Sequence, residues 1–284
     1  MAGRWTPFGP PVVVFNKSHS GSRLLTRLLI DAGVFMGADR NDSEDSADLL
    51  RLVMPLVNRW YPHYADLMRQ GDVDLAGLVE DVFARHLDGH DPGGRWGWKL
   101  CESLYILPVL HRLFPQGWFV HLIRDGRDVA FSDHVAPFEP FWRKVYFDTA
   151  GIAAWRGLPL THDSYRRQPH LFNARHWVNS VTVARHYGAM IGARYIEVRY
   201  EDLVCRPEAT ARALLAHLGL DPADSVIEAY RASAADLSVG KHRRQPARHQ
   251  HQALKVLRPT LAAFGYDDPP ERPRRSWRRR IWPV

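Results

Sequence analysis

Short apolar runs that alternate with longer amphipathic stretches constrain the fold of this chain more than any other feature of its sequence. The runs with strand character lie at 11–16, 96–100, 117–123 and 195–198. The stretches with helical character lie at 21–32, 47–60, 74–87, 103–113, 125–134 and 174–191, and another helix is predicted to begin at Pro207. This alternation predicts an α/β fold with a central parallel sheet flanked by helices on both faces. Ligands of such sheets bind at the carboxyl ends of the strands, where every candidate motif of this chain falls.

Two of the predicted strands run into a helix through residues that suit an anion. After 11–16 comes the segment Lys17–Arg23, in which Gly21 lets the backbone approach an anion and the amides of the next helix point at it. After 117–123 comes Arg124, and Ser132 follows two helical turns later. A cation and a hydroxyl placed in this way can bind one phosphate from two sides. Two such junctions in one chain predict a ligand with phosphate groups at both ends.

A third segment, 237–245, carries Gly240 followed by four basic residues. Taken singly, each of the three segments has a simpler interpretation. Segment 237–245 is then a solvated run of charge, and 17–23 is a helix start capped by serines. The stretch after 117–123 is then a surface network of arginines and aspartates. The segment 17–23 is also not a Walker A loop, because Gly-x-x-x-x-Gly-Lys-Ser/Thr is absent. An ordinary ATP or GTP enzyme is therefore disfavoured.

In order and spacing, these segments resemble the sulfotransferases that use 3′-phosphoadenosine 5′-phosphosulfate (PAPS). Ser20-Gly21-Ser22 is similar to the family's loop for the 5′-phosphosulfate end, and Arg124 with Ser132 matches its pair for the 3′-phosphate. Residues 200–203 resemble a Tyr-Glu-Asp-Leu strand end near the nucleotide, and 240–241 resemble a late loop that returns to the 3′-phosphate. The resemblance covers most of 11–265. It implies the P-loop-like sulfotransferase architecture, sulfuryl transfer from PAPS to a hydroxyl or amine, and 3′-phosphoadenosine 5′-phosphate (PAP) as the product.

The resemblance also implies the site residues. The cofactor-binding candidates are Lys17, Ser18, His19, Ser20, Gly21, Ser22, Arg23, Arg124, Ser132, Tyr200, Lys241, His242 and Arg243. The catalytic candidates are the basic residues Lys17, His19 and Lys99 and the loop carboxylates Asp42 and Glu44.

The chain departs from the family pattern at two places. His19 stands directly before the Ser-Gly pair, where a lysine or arginine is usual, so either His19 or Lys17 is a candidate for the bridging oxygen. Cytosolic members carry a histidine two residues after the lysine that Lys99 resembles, and Cys101 stands there, next to Glu102. Other branches use an acidic residue in the loop after the first helix. That loop here contains Asp39, Asp42 and Glu44, for which a solvated turn is the alternative.

The regular alternation stops between 135 and 173, a stretch rich in aromatic residues and proline. We interpret it as an acceptor-side insertion, with packing into the core as the alternative, inside a single α/β domain that covers 1–270. An aromatic lining would suit an apolar or planar acceptor. Small-molecule, glycan and lipid acceptors all stay open.

The net charge of +7 belongs mostly to the segment 271–284, which carries six arginines and one glutamate. The rest of the chain is nearly neutral, so no nucleic-acid partner is expected. This basic tail is interpreted as a frayed terminus, or as a weak contact with a membrane surface or an acidic partner. Neither the two cysteines nor the histidines of 242–251 have the spacing of a metal site, and no metal is expected. Without an apolar run of ~20 residues or a signal peptide, a cytoplasmic location is expected.

Two other functions remain open at this point. The first is a nucleotide-dependent phosphotransferase or kinase that lacks a Walker lysine, and a magnesium requirement with ATP turnover would favour it. The second is a non-catalytic module that binds PAP, which the altered histidine and lysine positions support.

Overall fold

The computed structural model of the chain describes residues 8–60, 73–132, 162–235, 237 and 239–266. Five parallel strands form a central sheet in the order β2-β3-β1-β4-β5. The strands are β1 (Val12–Asn16), β2 (Val34–Phe35), β3 (Arg95–Lys99), β4 (Trp118–Ile123) and β5 (Tyr195–Arg199). The predicted α/β fold with a parallel central sheet is therefore confirmed.

Helices cover both faces of this sheet. They are α1 (Ser22–Asp31), α2 (Ala47–Trp60), α3 (Val73–His86), α4 (Leu107–Leu113), α5 (Gly126–Ala130), α6 (His162–Arg167), α7 (Pro169–Ile191), α8 (Tyr200–Cys205), α9 (Pro207–His217), α10 (Asp224–Ala235) and α11 (Ala247–Ala263). Short 3₁₀ segments lie at Cys101–Ile106, Gly192–Arg194 and Lys241–Arg244. Within these described residues, no helix combines the length and the hydrophobicity needed to cross a bilayer.

Some predicted boundaries were wrong, and prolines explain two of them. The helix predicted at 103–113 is a 3₁₀ segment followed by α4, because Pro108 fits the first turn of a helix but not its interior. The helix predicted from 174 begins at Pro169 for the same reason. The helix after β4 ends at Ala130 rather than near 134. Residues 135–161 of the proposed insertion and the tail 271–284 lie outside the described residues.

The central strands are apolar throughout because both of their faces are covered. Every residue of β1 is buried, with Val13 and Phe15 in one cluster and Val12 and Val14 in the other, as the alternation of side chains in a strand requires. Burial of each such side chain contributes about 1.5–3 kcal/mol. The apolar run that identified β1 in the sequence is thus the core of the molecule.

The register of the strands places the candidate segments side by side. Asn16 of β1 lies opposite Leu122 of β4, and Ile123 of β4 lies opposite Arg199 of β5. The next residues, 17, 124 and 200, therefore leave neighbouring strands at the same edge of the sheet. Lys99, at the end of β3, pairs with Val14 on the other side of β1.

Candidate active site

The loop between β1 and α1 closes around the side chain of Lys17. Only 2% of this lysine is exposed, and its Nζ donates to the carbonyl oxygen (3.1 Å) and the hydroxyl (3.2 Å) of Ser18. The hydroxyl of Ser20 donates to the carbonyl oxygen of Lys17 (2.6 Å), which fixes the turn. Burial lowers the pKa of Lys17 to about 8, because desolvation disfavours the charged form. The loop thus holds a buried cation that a bound anion would stabilise.

Gly21 connects this loop to Tyr200. Its φ of +85° lies in the left-handed region, and a Cβ atom here would stand 2.3 Å from Cε2 of Tyr200. Glycine is therefore required at this position for both its conformation and its size. Ser22 is buried and begins α1, so the free amides of the first helical turn face the loop. The side chains of His19 and Arg23 are exposed.

Arg124 contacts the same tyrosine. Its guanidinium carbon lies 4.3 Å from the centre of the Tyr200 ring, and its Nη2 lies 3.3 Å from Oδ2 of Asp128. Nearby, the Nζ of Lys241 donates to the hydroxyl of Ser132 (3.1 Å), which itself donates to the carbonyl oxygen of Asp128 (3.4 Å). The structure therefore brings Arg124, Ser132 and Lys241 together in one network.

Asp128 holds this network together, and sequence reasoning missed its role. Its Oδ1 accepts from the backbone N–H (3.1 Å) and the ring Nδ1 (2.6 Å) of His242, and its Oδ2 accepts from the N–H of Gly240 (2.8 Å). Burial acts to raise the pKa of Asp128, but the hydrogen bonds from His242 and Gly240 and the charge of Arg124 hold it well below its usual range. Because Asp128 is fully buried, it is not part of a surface network. Its position four residues after Arg124 was the signal in the sequence.

A second buried lysine lies at the end of β3. The Nζ of Lys99 lies 2.8 Å from Oδ1 of Asp45 and donates to the carbonyl oxygen of Ser43 (2.9 Å). Burial acts to lower the pKa of Lys99, but neighbouring Cys101 and the Asp45 carboxylate outweigh it, so the pKa is raised. Glu102 is also buried, and its charge acts on both Lys99 and Lys17.

His86 anchors the loop that carries Asp45. Its Nε2 hydrogen-bonds to the carbonyl oxygen of Gly97 (2.8 Å), and its Nδ1 lies 3.3 Å from the hydroxyl of Ser46. Burial lowers the pKa of His86 to about 4, so the ring is neutral and donates through one nitrogen and accepts through the other. The backbone N–H of Ser46 donates to the carbonyl oxygen of Lys99 (2.8 Å), which fixes the loop beside β3.

The other predicted site residues take different positions. Asp42 is exposed, and Glu44 forms ion pairs with Arg40 (3.0 Å) and Arg27 (3.4 Å). The side chain of Arg243 is exposed, although its backbone belongs to the 3₁₀ turn that Asp128 holds. Asp45 is therefore the carboxylate of this loop that contacts Lys99, and nothing in the sequence separated it from its acidic neighbours.

Comparisons with known proteins identify the family of this chain. A family model described as "Sulfotransferase family" matches residues 11–225, which is more than half of the chain. The chain belongs to the sulfotransferase family. No curated protein matches it.

Solved sulfotransferase structures share the fold. The structure of sulfotransferase STF9 from Mycobacterium avium has a TM-score of 0.54 at 10% sequence identity, over 90% of this chain and 77% of that one. The sulfotransferase domain from the curacin biosynthetic pathway has a TM-score of 0.50 at 13% identity, over 92% of this chain and 99% of the domain. The resemblance seen in the sequence and the P-loop-like sulfotransferase architecture are both confirmed.

The candidate site of this sulfotransferase has two cationic centres along one edge of the sheet. The first centre consists of Lys17 and Lys99, at the ends of neighbouring strands. The second consists of Arg124, which contacts Tyr200, and Lys241, which belongs to the network around Asp128. The first centre also has the amides of α1. Fixed cations and amides of this kind neutralise charge without reorganisation during a reaction. The arrangement suits an anion that is held at one end and changes its charge at the other.

Proposed function

We propose that this sulfotransferase takes PAPS as its donor and transfers the sulfuryl group to a hydroxyl or amine of an acceptor. The observation that supports this most strongly is that Tyr200 contacts both anion-binding junctions. Its ring lies against Gly21 of the first junction and 4.3 Å from the guanidinium carbon of Arg124 in the second. One adenosine nucleotide with phosphates on its 5′ and 3′ sides can therefore bind both junctions at once.

The residues present suit the two ends of such a nucleotide. We assign the 5′-phosphosulfate to Lys17, Ser20 and the first amides of α1, and the 3′-phosphate to Arg124, Ser132 and Lys241. PAPS supplies the sulfuryl group, whose sulfur–oxygen bond to the 5′-phosphate breaks as the acceptor attacks the sulfur. Lys17 and the helix amides then stabilise the charge that develops on the 5′-phosphate oxygen.

We assign the role of general base to Asp45. A carboxylate near the sulfur can take the proton of the acceptor as it attacks. The Oδ1 atom of Asp45 is buried 2.8 Å from the Nζ of Lys99, while 16% of the side chain stays exposed. Lys99 can thus orient the carboxylate without enclosing it. Asp42 and Glu44 remain alternative candidates for the same role.

We further propose that the acceptor is a small molecule, a glycan or a lipid. The aromatic segment 135–173 is proposed to line its pocket. Because Phe172 and Tyr165 pack into the core, this proposal rests on the composition of 135–161, which lies outside the described residues. A weak contact of the tail 271–284 with a membrane surface or an acidic partner is proposed on charge alone.

A thermal-shift panel with PAP, ADP, ATP and AMP tests the choice of nucleotide. A ligand that binds only the folded state raises the melting temperature, and PAP should raise it most. Release of PAP from PAPS across a broad acceptor panel then tests transfer. A preference for ATP with magnesium would instead support a phosphotransferase. Binding of PAP without transfer to any acceptor would support a non-catalytic binding module.

A further inference from the structure

Glu201, the residue after Tyr200, contacts the backbone of the turn that follows β4. Its Oε1 accepts a hydrogen bond from the N–H of Asp125 (2.9 Å), and its Oε2 accepts one from the hydroxyl of Tyr266 (2.9 Å). Asp125 directly follows Arg124 in the chain. The carboxyl group of Glu201 therefore fixes the peptide from which the Arg124 side chain projects.

These contacts close into a ring. The Nη2 of Arg127 donates to the carbonyl oxygen of Tyr266 (3.3 Å) and to Oδ2 of Asp125 (2.7 Å). Asp125 contacts Glu201, and Glu201 contacts Tyr266, which lies just after α11. The ring joins three parts of the chain that are distant in sequence, and the turn after β4 lies inside it.

We propose that Glu201 is a positioning residue for Arg124. Glu201 fixes the turn by accepting a hydrogen bond, and its negative charge opposes the binding of a phosphate at Arg124. The proposal rests on the proposed function, because it takes Arg124 as a ligand of the 3′-phosphate. The hydrogen bond and the charge have separable consequences. Loss of the hydrogen bond should release the turn, whereas loss of the charge alone should favour the incoming anion.

The ring accommodates both protonation states of Glu201. The Tyr266 hydroxyl lies 2.9 Å from Oε2 of Glu201 and 3.4 Å from the carbonyl oxygen of Ile123, but it has a single proton to donate. When Glu201 is ionised, Tyr266 donates to it. When Glu201 is protonated, it donates to Tyr266, which then donates to Ile123. In both states, Oε1 can still accept from the N–H of Asp125.

The surroundings of Glu201 shift its pKa towards neutral pH. Desolvation, and then the charge of Asp125, raise the pKa of Glu201 to about 7. The titratable and charged groups that face Glu201 come from every element packed around it. They are Asp125 and Arg127 of the turn after β4 and α5, Tyr266 after α11, and Tyr200 and Cys205 of α8. Arg199, at the end of β5, lies over the Tyr266 ring, and Asp202 follows Glu201 in α8.

Two variants separate the hydrogen bond from the charge. Glu201→Gln keeps an oxygen acceptor for Asp125 and a donor for Tyr266, so it copies the protonated state. Glu201→Ala removes both contacts. Glu208→Gln, which changes an exposed glutamate of α9 that pairs with Arg212, is the control for loss of a surface charge. The measurement is the affinity of each protein for PAP by calorimetry at pH 6, 7 and 8.

We expect Glu201→Ala to bind PAP about tenfold more weakly than the wild type, because the turn loses its partner. Glu201→Gln should match the wild type at pH 6 and bind about threefold more tightly at pH 8, where the wild-type carboxylate is charged. The titration of Lys17 affects both proteins alike and cancels in their ratio. Glu208→Gln should equal the wild type at each pH.

Three results would overturn the proposal. They are an unchanged affinity in a folded Glu201→Ala protein, a Glu201→Gln protein weaker than the wild type at every pH, and a ratio of Glu201→Gln to wild-type affinity that does not change from pH 6 to pH 8. Should Glu201→Ala not fold, the Glu201→Gln series still decides. A wild-type protein that does not bind PAP at all would count against the proposed function instead.

Discussion

At the scale of single residues, two buried lysines at the same edge of the sheet have pKa values that shift in opposite directions. The charge of Lys99 is balanced within the protein by Asp45, and its pKa is raised. Lys17 donates to the uncharged oxygens of Ser18, and its pKa falls to about 8. In the unliganded protein, the buried charge of Lys17 therefore lowers the free energy of unfolding, and a bound anion would offset this loss.

Replacing Lys17 should make the protein more stable and less active. Below pH 8 the folded protein holds Lys17 charged against its desolvation, so Lys17→Met should raise the unliganded free energy of unfolding by about 1–3 kcal/mol. Between pH 8 and about 10.5 the wild-type lysine loses its proton more readily when folded than when unfolded. Wild-type stability therefore rises relative to the variant, and the difference shrinks.

Chemical denaturation across this pH range, together with PAPS turnover, measures both effects. Lys255→Met, which changes an exposed lysine of α11, is the matched control and should alter neither quantity. A Lys17→Met protein that is less stable than the wild type at pH 7 would show that the charge of Lys17 stabilises the fold.

Asp45 provides the test of the proposed base. Asp45→Asn should lower kcat about 10²-fold or more, because the amide cannot accept the proton of the acceptor, while PAP affinity stays within about twofold. Asp31→Asn, at the exposed end of α1, should keep wild-type turnover. If Asp42→Asn or Glu44→Gln loses turnover instead of Asp45→Asn, the base is that residue and the assignment is wrong.

At the scale of elements, the turn between β1 and α1 depends on one glycine. Gly21 and Gly33 both have positive φ, +85° and +86°, but a Cβ at Gly21 would meet Tyr200 at 2.3 Å, whereas nothing lies within 4 Å of one at Gly33. Gly33→Ala should therefore cost only the conformational penalty, about 1–2 kcal/mol. Gly21→Ala should also displace Tyr200.

Affinity for PAP distinguishes the two effects. We expect Gly21→Ala to weaken PAP binding about tenfold or more, and Gly33→Ala to leave it unchanged, when both are measured by calorimetry on folded protein. Equal affinities in the two variants would show that the contact between the loop and Tyr200 does not shape the nucleotide site.

The 3₁₀ turn Lys241–Arg244 depends on Asp128 in a similar way. Asp128→Asn removes the charge and leaves one acceptor oxygen for Arg124 and the three donors of the turn, so the turn should detach from α5 and expose the amides of Gly240 and His242 to exchange. Hydrogen exchange should show faster exchange at these amides, and PAP affinity should fall. Asp221→Asn, at an exposed position, is the control. Unchanged exchange in Asp128→Asn would mean that other contacts hold the turn.

The sequence identified candidate site residues where they follow directly from a strand, and the structure brings these residues together. Lys17, Gly21 and Arg124 are positioned by the ends of β1 and β4, and a buried strand is readable as an apolar run. The full roles of Asp128 and Asp45 could not be predicted, although the spacing of Asp128 from Arg124 indicated that those two residues could pair. Each is one aspartate among several, and its partner lies far along the chain, 112 residues away in the case of Asp128 and Gly240.

At the scale of the whole molecule, the alternation of strands and helices was sufficient to predict a parallel sheet covered on both faces. The alternation did not predict β2, because a strand of two residues has no recognisable pattern. It also placed the start of α7 five residues too late. The order β2-β3-β1-β4-β5 places β1 between β3 and β4. This order brings the ends of β3, β1, β4 and β5 into one site, which local sequence patterns do not specify.

The measurement that tests this account most directly is a calorimetric comparison of PAP with ADP. Both are adenosine nucleotides with two phosphates, but only PAP carries one on the 3′ side. We predict that the wild type binds PAP about tenfold or more tightly than ADP and that Arg124→Ala loses most of this preference, while Arg212→Ala, on the surface, keeps it. Equal affinity of the wild type for PAP and ADP, or an unchanged preference in Arg124→Ala, would contradict a single nucleotide held at both junctions.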